Sequence, residues 1–167
     1  MGAGASSAAA PAWTEQAPDN FEHCGMPSDG SLGCGLRVRR KRGPRAVYCL
    51  YAFREGDSRE VAALRASAGH PFVVALRHSF VAGGVTYAVL EHHGADGGLW
   101  EHLRHQGPLE ERRAALYAAE IASALDHVHA RGFVLRGLCP EAVSLDVLGH
   151  AKLSSFQLAA PVDGESR

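Results

Sequence analysis

Short apolar runs broken by glycines fill the first half of the chain, and a three-and-four spacing of apolar residues takes over in the second. The stretch "GLRVRRKRGPRAVYCLYAF" predicts two strands joined at Gly43-Pro44, and "FVVALRHSFVAGGVTYAVLEH" predicts a second pair turning at Gly83-Gly84. Between them, "DSREVAALRASAG" predicts a short helix with Asp57 or Ser58 as N-cap and Gly69 just past its end. After Glu91 the pattern becomes helical. In "PLEERRAALYAAEIASALDHVHARG", Ala114, Tyr117, Ala118, Ile121, Leu125 and Val128 recur on one face, with Glu110 and Glu111 at the positive end of the helix dipole and Arg131-Gly132 at the other. Beyond that helix, "AVSLDVLGHAKLSSF" predicts two brief strands turning at Gly149.

The first nineteen residues carry no such pattern. They are mostly Ala, Gly, Ser and Pro with one aromatic, too little apolar surface to offset the entropy of ordering, and read as a tail. Its opening fits M-G-x-x-x-[ST], with Gly2 and Ser6 in place, so Gly2 is a candidate for N-myristoylation; an unmodified small-residue start fits as well. A transit peptide is disfavoured because no Arg precedes Arg37.

Composition narrows the picture little. The 167 residues suffice for one domain or part of one, and a net charge of −1 gives no overall pull toward nucleic acid or membrane. Cys24, Cys34, Cys49 and Cys139 form no CxxC pair and follow no secretory segment, which predicts reduced thiols in an intracellular, cytoplasmic protein. No run approaches the roughly 18 apolar residues that span a bilayer. Ten histidines invite a metal reading, but none has ligand spacing backed by Cys or carboxylate, so no metal site is expected.

The order of elements and their punctuation resemble a protein kinase, with wording closest to the AGC group of serine/threonine kinases. "NFEHCGMPSDGSLGCG" resembles the opening strand and Gly-rich loop, "HPFVVALRHSF" the strand after helix C, "VTYAVLEH" the strand into the interlobe hinge, and "LYAAEIASALDHVHARG" the helix before the catalytic loop. "FVLRGLCPEAVSLDVLGHAKLSSFQ" carries the punctuation of that loop and of the segment after it. The resemblance implies an α+β kinase-like fold: a β-rich small lobe with helix C over residues 20–92, then the first part of a helical large lobe over 93–167. About half of a kinase domain is covered, which leaves either a fragment or a long-helix face that something else must cover.

A kinase works by placing charges around phosphates, metal ions and a hydroxyl nucleophile. The G-x-G-x-x-G loop matches Ser28-Asp29-Gly30-Ser31-Leu32-Gly33, which keeps Gly30 and Gly33 but adds an aspartate that repels phosphate. At V-A-I-K the match is Cys49-Leu50-Tyr51, so Tyr51 stands for the phosphate-pairing lysine, and Glu60 of helix C loses its partner unless Arg54 substitutes. In the catalytic loop Gly137 replaces the proton-accepting aspartate, Cys139 the lysine and Ala142 a metal-binding asparagine; at D-F-G, Ser155 replaces the metal-binding aspartate. Removal of one positioned donor costs about 10²–10³ in rate, and here all are replaced together.

The resemblance also implies a regulatory stack of four apolar residues, and Leu64, Leu76, Leu135 and Phe156 occupy it, although ordinary core residues would look the same. Gly35, Cys49 and Ser144 fall where adenine is normally sandwiched, so Gly30, Gly33, Tyr51, Glu60 and Glu91 are kept only as nucleotide-site positions, and neither ATP nor Mg²⁺ is expected to bind. The expected protein is a pseudokinase acting through a protein partner, such as an active kinase; the alternatives are an atypical ATP-binding kinase or a non-functional fragment. The basic run of residues 37–45 fits a solvated hairpin edge, a lipid contact beside an acylated Gly2, or a nuclear address.

Overall fold

The computed structural model describes residues 20–24, 28–30, 33–42, 46–53, 58–92 and 98–162. The tail with Gly2, the Gly43-Pro44 turn, Arg45, Arg54 and Asp57 lie outside the described residues. An antiparallel sheet forms the first lobe from β1 (Phe21–His23), β2 (Ser28–Gly30), β3 (Gly33–Arg40), β4 (Val47–Phe53), β5 (Leu76–Ala82) and β6 (Val85–Glu91). Its order is β1-β3-β4-β6-β5, with β2 paired to β3. The predicted strand pairs are all present. Gly83 and Gly84 take positive φ at the β5–β6 turn, where a side chain would be strained.

The period-two alternation sorts the sheet into two faces. Phe21, Val38, Leu50, Phe80 and Val89 form a compact outer cluster, with Phe80 stacked between Phe21 and Tyr87 at centroid distances of 6.4 and 5.1 Å. The inner face carries Cys49, Tyr51, Phe53, Ala88 and Leu90 into the main core. There it meets α1 (Ser58–Ala66), whose Val61, Ala63 and Leu64 are buried.

The second lobe opens with α2 (Leu99–Gln106), which the pattern reading did not single out. Its signal was short: Leu99 and Leu103 four apart, Glu101 accepting the Gly98 N–H at 2.9 Å, and Gly107 closing the helix at positive φ. The long helix α3 (Glu111–Ala130) matches the expected one closely, but its buried face does not. Ala114 and Ala118 are exposed, and the buried residues are Tyr117, Glu120, Ala124 and Val128. A carboxylate can be buried because β8 (Val143–Leu145) and β9 (Ala151–Leu153) place partners against it, as described below. The two-residue strands β7 (Phe133–Val134) and β10 (Ala160–Pro161) pair with each other.

The two lobes are stapled by backbone. Val74 N–H donates to Leu153 O and Leu153 N–H to Phe72 O, both at 2.9 Å, so the loop after α1 runs beside β9. His70 locks the same loop to α3: its Nδ1 accepts the Phe72 N–H at 3.2 Å, which leaves Nε2 to donate to Ser123 Oγ at 3.3 Å. Burial and the neighbouring His127 hold the His70 pKa below its ordinary value, in keeping with that neutral tautomer.

Candidate functional site

The site lies between the inner face of the sheet and the segment from Leu135 to Phe156. Beneath it, Cys139 O accepts the Ala142 N–H at 2.9 Å and closes a 3-10 turn over Pro140–Ala142, leaving Cys139 exposed and Ala142 fully buried. Ala142 O in turn accepts Ser154 N–H at 2.9 Å, Ser155 N–H at 3.3 Å and Ser154 Oγ–H at 3.1 Å. Ala142 and Ser155, which the resemblance places where metal ligands have been replaced, are thus joined through the main chain. A methyl and a hydroxyl stand where two metal ligands would be needed.

Gly137 sits under Leu158. A Cβ built on it would lie 3.0 Å from Leu158 Cδ1, and the Arg136 side chain fastens the same residue by donating from Nε to Leu158 O at 3.0 Å. Arg136 is a non-glycine residue at positive φ, 56°, a conformation that costs roughly 1–2 kcal/mol and that this hydrogen bond helps to hold.

Glu60 corrects the expectation of an orphaned carboxylate. It is 4 % exposed, and its Oε1 accepts the backbone N–H of Phe156 at 3.3 Å. The bond couples α1 directly to the segment that resembles D-F-G. Phe156, Leu64 and Leu135 are buried together in the main core and Leu76 packs against it, so the four expected stack positions share one core. Tyr51 is buried on the inner face opposite Ala88.

Gly30 and Gly33 pair across the β2–β3 hairpin, with the loop tip outside the described residues. The Glu91 carboxylate serves as a strut between lobes. Its Oε1 accepts Lys152 Nζ at 2.8 Å and the Ala75 N–H at 3.2 Å, and its Oε2 accepts Arg77 Nη2 at 3.1 Å. Ser144 is buried, with its hydroxyl donating to Lys152 O at 3.4 Å.

The roof holds two residues that pattern reasoning did not assign to the site. His92 Nδ1 lies 3.6 Å from Cys49 Sγ, and Arg37 is opposite Cys49 in the strand register. Burial first, then the Arg37 charge, keeps the His92 pKa below its ordinary value. Strand pairing puts Arg37, and Arg39 two residues on, on the face of Cys49, whereas the sequence shows them only as part of a basic run that fits a solvated edge, a lipid contact or a nuclear address.

A β-rich lobe with one buried helix glutamate is stapled to a helical lobe by backbone hydrogen bonds. A sequence pattern described as "Protein kinase domain" matches residues 52–167. The chain belongs to the protein kinase domain family. It is similar to Protein kinase 2 of Dictyostelium discoideum (32 % identical over 155 residues, 87 % of this chain and 32 % of that protein). It is also similar to human Ribosomal protein S6 kinase alpha-6 (33 % over 162 residues, 90 % and 22 %) and to the Serine/threonine-protein kinase AtPK1/AtPK6 of Arabidopsis thaliana (32 % over 158 residues, 89 % and 34 %). The resemblance to serine/threonine kinases of the AGC type is borne out, and the chain spans about a third or less of these relatives' length. No described helix is long and apolar enough to cross a membrane.

Proposed function

We propose that the chain is a pseudokinase: a kinase-like module that keeps its internal regulatory core, does not transfer phosphate, and acts by binding another protein, such as an active kinase. The observation that carries this reading is the Glu60–Phe156 hydrogen bond. In an active kinase the helix-C glutamate pairs with a lysine that holds phosphates; here Tyr51 stands at that position, and the Phe156 main-chain N–H donates to Glu60 Oε1, tying α1 to the segment that resembles D-F-G. The regulatory geometry has a support that does not depend on nucleotide.

The donor set does not fit MgATP. Gly137, Ala142 and Ser155 supply no carboxylate or amide for a hard cation that takes oxygen ligands. Tyr51 supplies no cation for phosphate, and Cys49 with His92 occupies the roof where a flat base would stack. No step of phosphoryl transfer is therefore assigned to these residues.

The test is a thermal melt of the full chain with and without saturating ATP and Mg²⁺, paired with a phosphotransfer assay on a generic acceptor peptide. No Mg²⁺-dependent rise in melting temperature and no labelled product are expected. A nucleotide held at 100 times its Kd would add about 2.7 kcal/mol, readily seen in such a melt. A Mg²⁺-dependent rise with product formation would establish an atypical active kinase instead.

Restoring the missing acid gives a second check. Gly137→Asp is expected to leave phosphotransfer undetectable, since the metal ligands at 142 and 155 are still absent. It should cost about 1 kcal/mol in urea unfolding, the low end for overpacking, because the half-exposed Leu158 side chain can swing away.

A further inference from the structure

We propose that the roof of the cleft, formed by Arg37, Arg39 and His92, is a binding site for a phosphate-sized oxyanion. The proposal deepens the pseudokinase reading, on which it rests, by naming what the altered cleft takes in place of MgATP.

Arg37 and Arg39 are two apart on β3, so both point to the face of the sheet that carries Cys49. Their Cα atoms lie about 7 Å apart along the strand, and two like charges on one face repel each other unless something negative lies between them. The acid that β1 places opposite Arg39 does little to compensate: Glu22 Oε1 is 3.9 Å from Arg39 Nη1, beyond hydrogen-bond distance. The Nε atoms of both arginines are buried with no hydrogen-bond partner among the described residues. A buried donor left unmade is costly, and a guanidinium donor more so. Glu91 is already held by Lys152, Arg77 and the Ala75 N–H.

His92 completes the set. It stands against Cys49, which pairs with Arg37 across the strands, and feels the Arg37 charge. Two guanidinium forks and one imidazole N–H on this side of the sheet suit the several equivalent oxygens of a phosphate better than the two of a carboxylate.

Free phosphate compounds and the phosphates of a nucleotide share this chemistry, and the test separates them. The full chain is melted at constant ionic strength in chloride, inorganic phosphate, tripolyphosphate, and ATP with EDTA or with Mg²⁺. Wild type, Arg37→Gln, Arg37→Lys and Arg112→Gln are compared, the last removing the same charge from the exposed start of α3. Phosphate at ten times its Kd is expected to raise the wild-type and Arg112→Gln melting temperatures by about 3–6 °C. The rise should be absent in Arg37→Gln and reduced in Arg37→Lys. ATP with EDTA should do no better than tripolyphosphate. In wild type, the His92 imidazole NMR resonances should move with added phosphate, a readout that needs no variant to fold.

An absent rise in wild type, an equal rise in Arg37→Gln, or unmoved His92 resonances would each overturn the anion site and leave the pseudokinase reading untouched. Stabilisation by ATP that requires Mg²⁺ and exceeds that of tripolyphosphate would overturn both.

Discussion

Phe156→Ala is expected to lower stability by about 3–5 kcal/mol, measured as a fall in the urea midpoint with an unchanged slope. The ring is fully buried, in one core with Leu64 from α1 and Leu135 from the catalytic-loop region, so no neighbouring surface can readily collapse into the space. The truncation also reaches α1 through the main chain, because the Phe156 N–H is the donor to Glu60 Oε1. Once the ring no longer anchors residue 156, that bond should loosen and the α1 amides should exchange faster than those of α3. Phe156→Leu, which keeps most of the volume, should cost less than half as much and leave α1 protection near wild type. Equal exchange in α1 and α3 for Phe156→Ala would mean that the ring is only filling, with no coupling between helix and segment. Leu158→Ala, two residues on but 56 % exposed, serves as the control and should stay within about 0.5 kcal/mol.

The contrast between Phe156 and Glu60 shows where sequence reasoning reaches and where it stops. Apolar periodicity records burial, and burial is what decides strands and helices, so the four strands β3–β6, both predicted helices and the Gly149 turn were legible. The stack residues Leu64, Leu135 and Phe156, all buried, were legible through the resemblance to kinases. Hydrogen bonds between a side chain and a distant backbone amide leave no periodic trace. Glu60 and Phe156 are 96 residues apart, and nothing local announces that a carboxylate will turn from a lost lysine to a main-chain N–H. Glu120 drew no reading from the sequence, because a charge is costly to bury unpaired; it turns inward where His150 and the Ala151 N–H give it partners. The α2 helix was missed for a different reason: eight residues give barely two turns, too few for a period to stand out.

Glu120→Ala is expected to be the second most damaging single change, at about 2–3 kcal/mol in urea unfolding. The carboxylate is 4 % exposed on α3 and fastens the β8–β9 hairpin twice, accepting the Ala151 N–H at 2.8 Å through Oε2 and His150 Nδ1 at 2.6 Å through Oε1. Its removal strands a buried amide, which by itself costs about 1–3 kcal/mol. Glu120→Gln separates the two bonds: the amide oxygen can still accept from Ala151, but the charge that faces His150 is gone. The hydrogen bond to Glu120 raises the His150 pKa from its ordinary 6.5, against a smaller opposing push from burial. A folded-state pKa above the unfolded one contributes stability that is complete below pH 6.5 and is lost as pH rises through the raised value. His70, His78 and His92, whose pKa values are lowered, act in the opposite sense by weakening the fold as pH falls, so the comparison must be between variants and not along one curve. The stability difference between wild type and Glu120→Gln should therefore be largest below pH 6.5 and shrink on the alkaline side. A difference independent of pH would mean that His150 is not protonated against Glu120 and that the hairpin is held by the Ala151 amide alone.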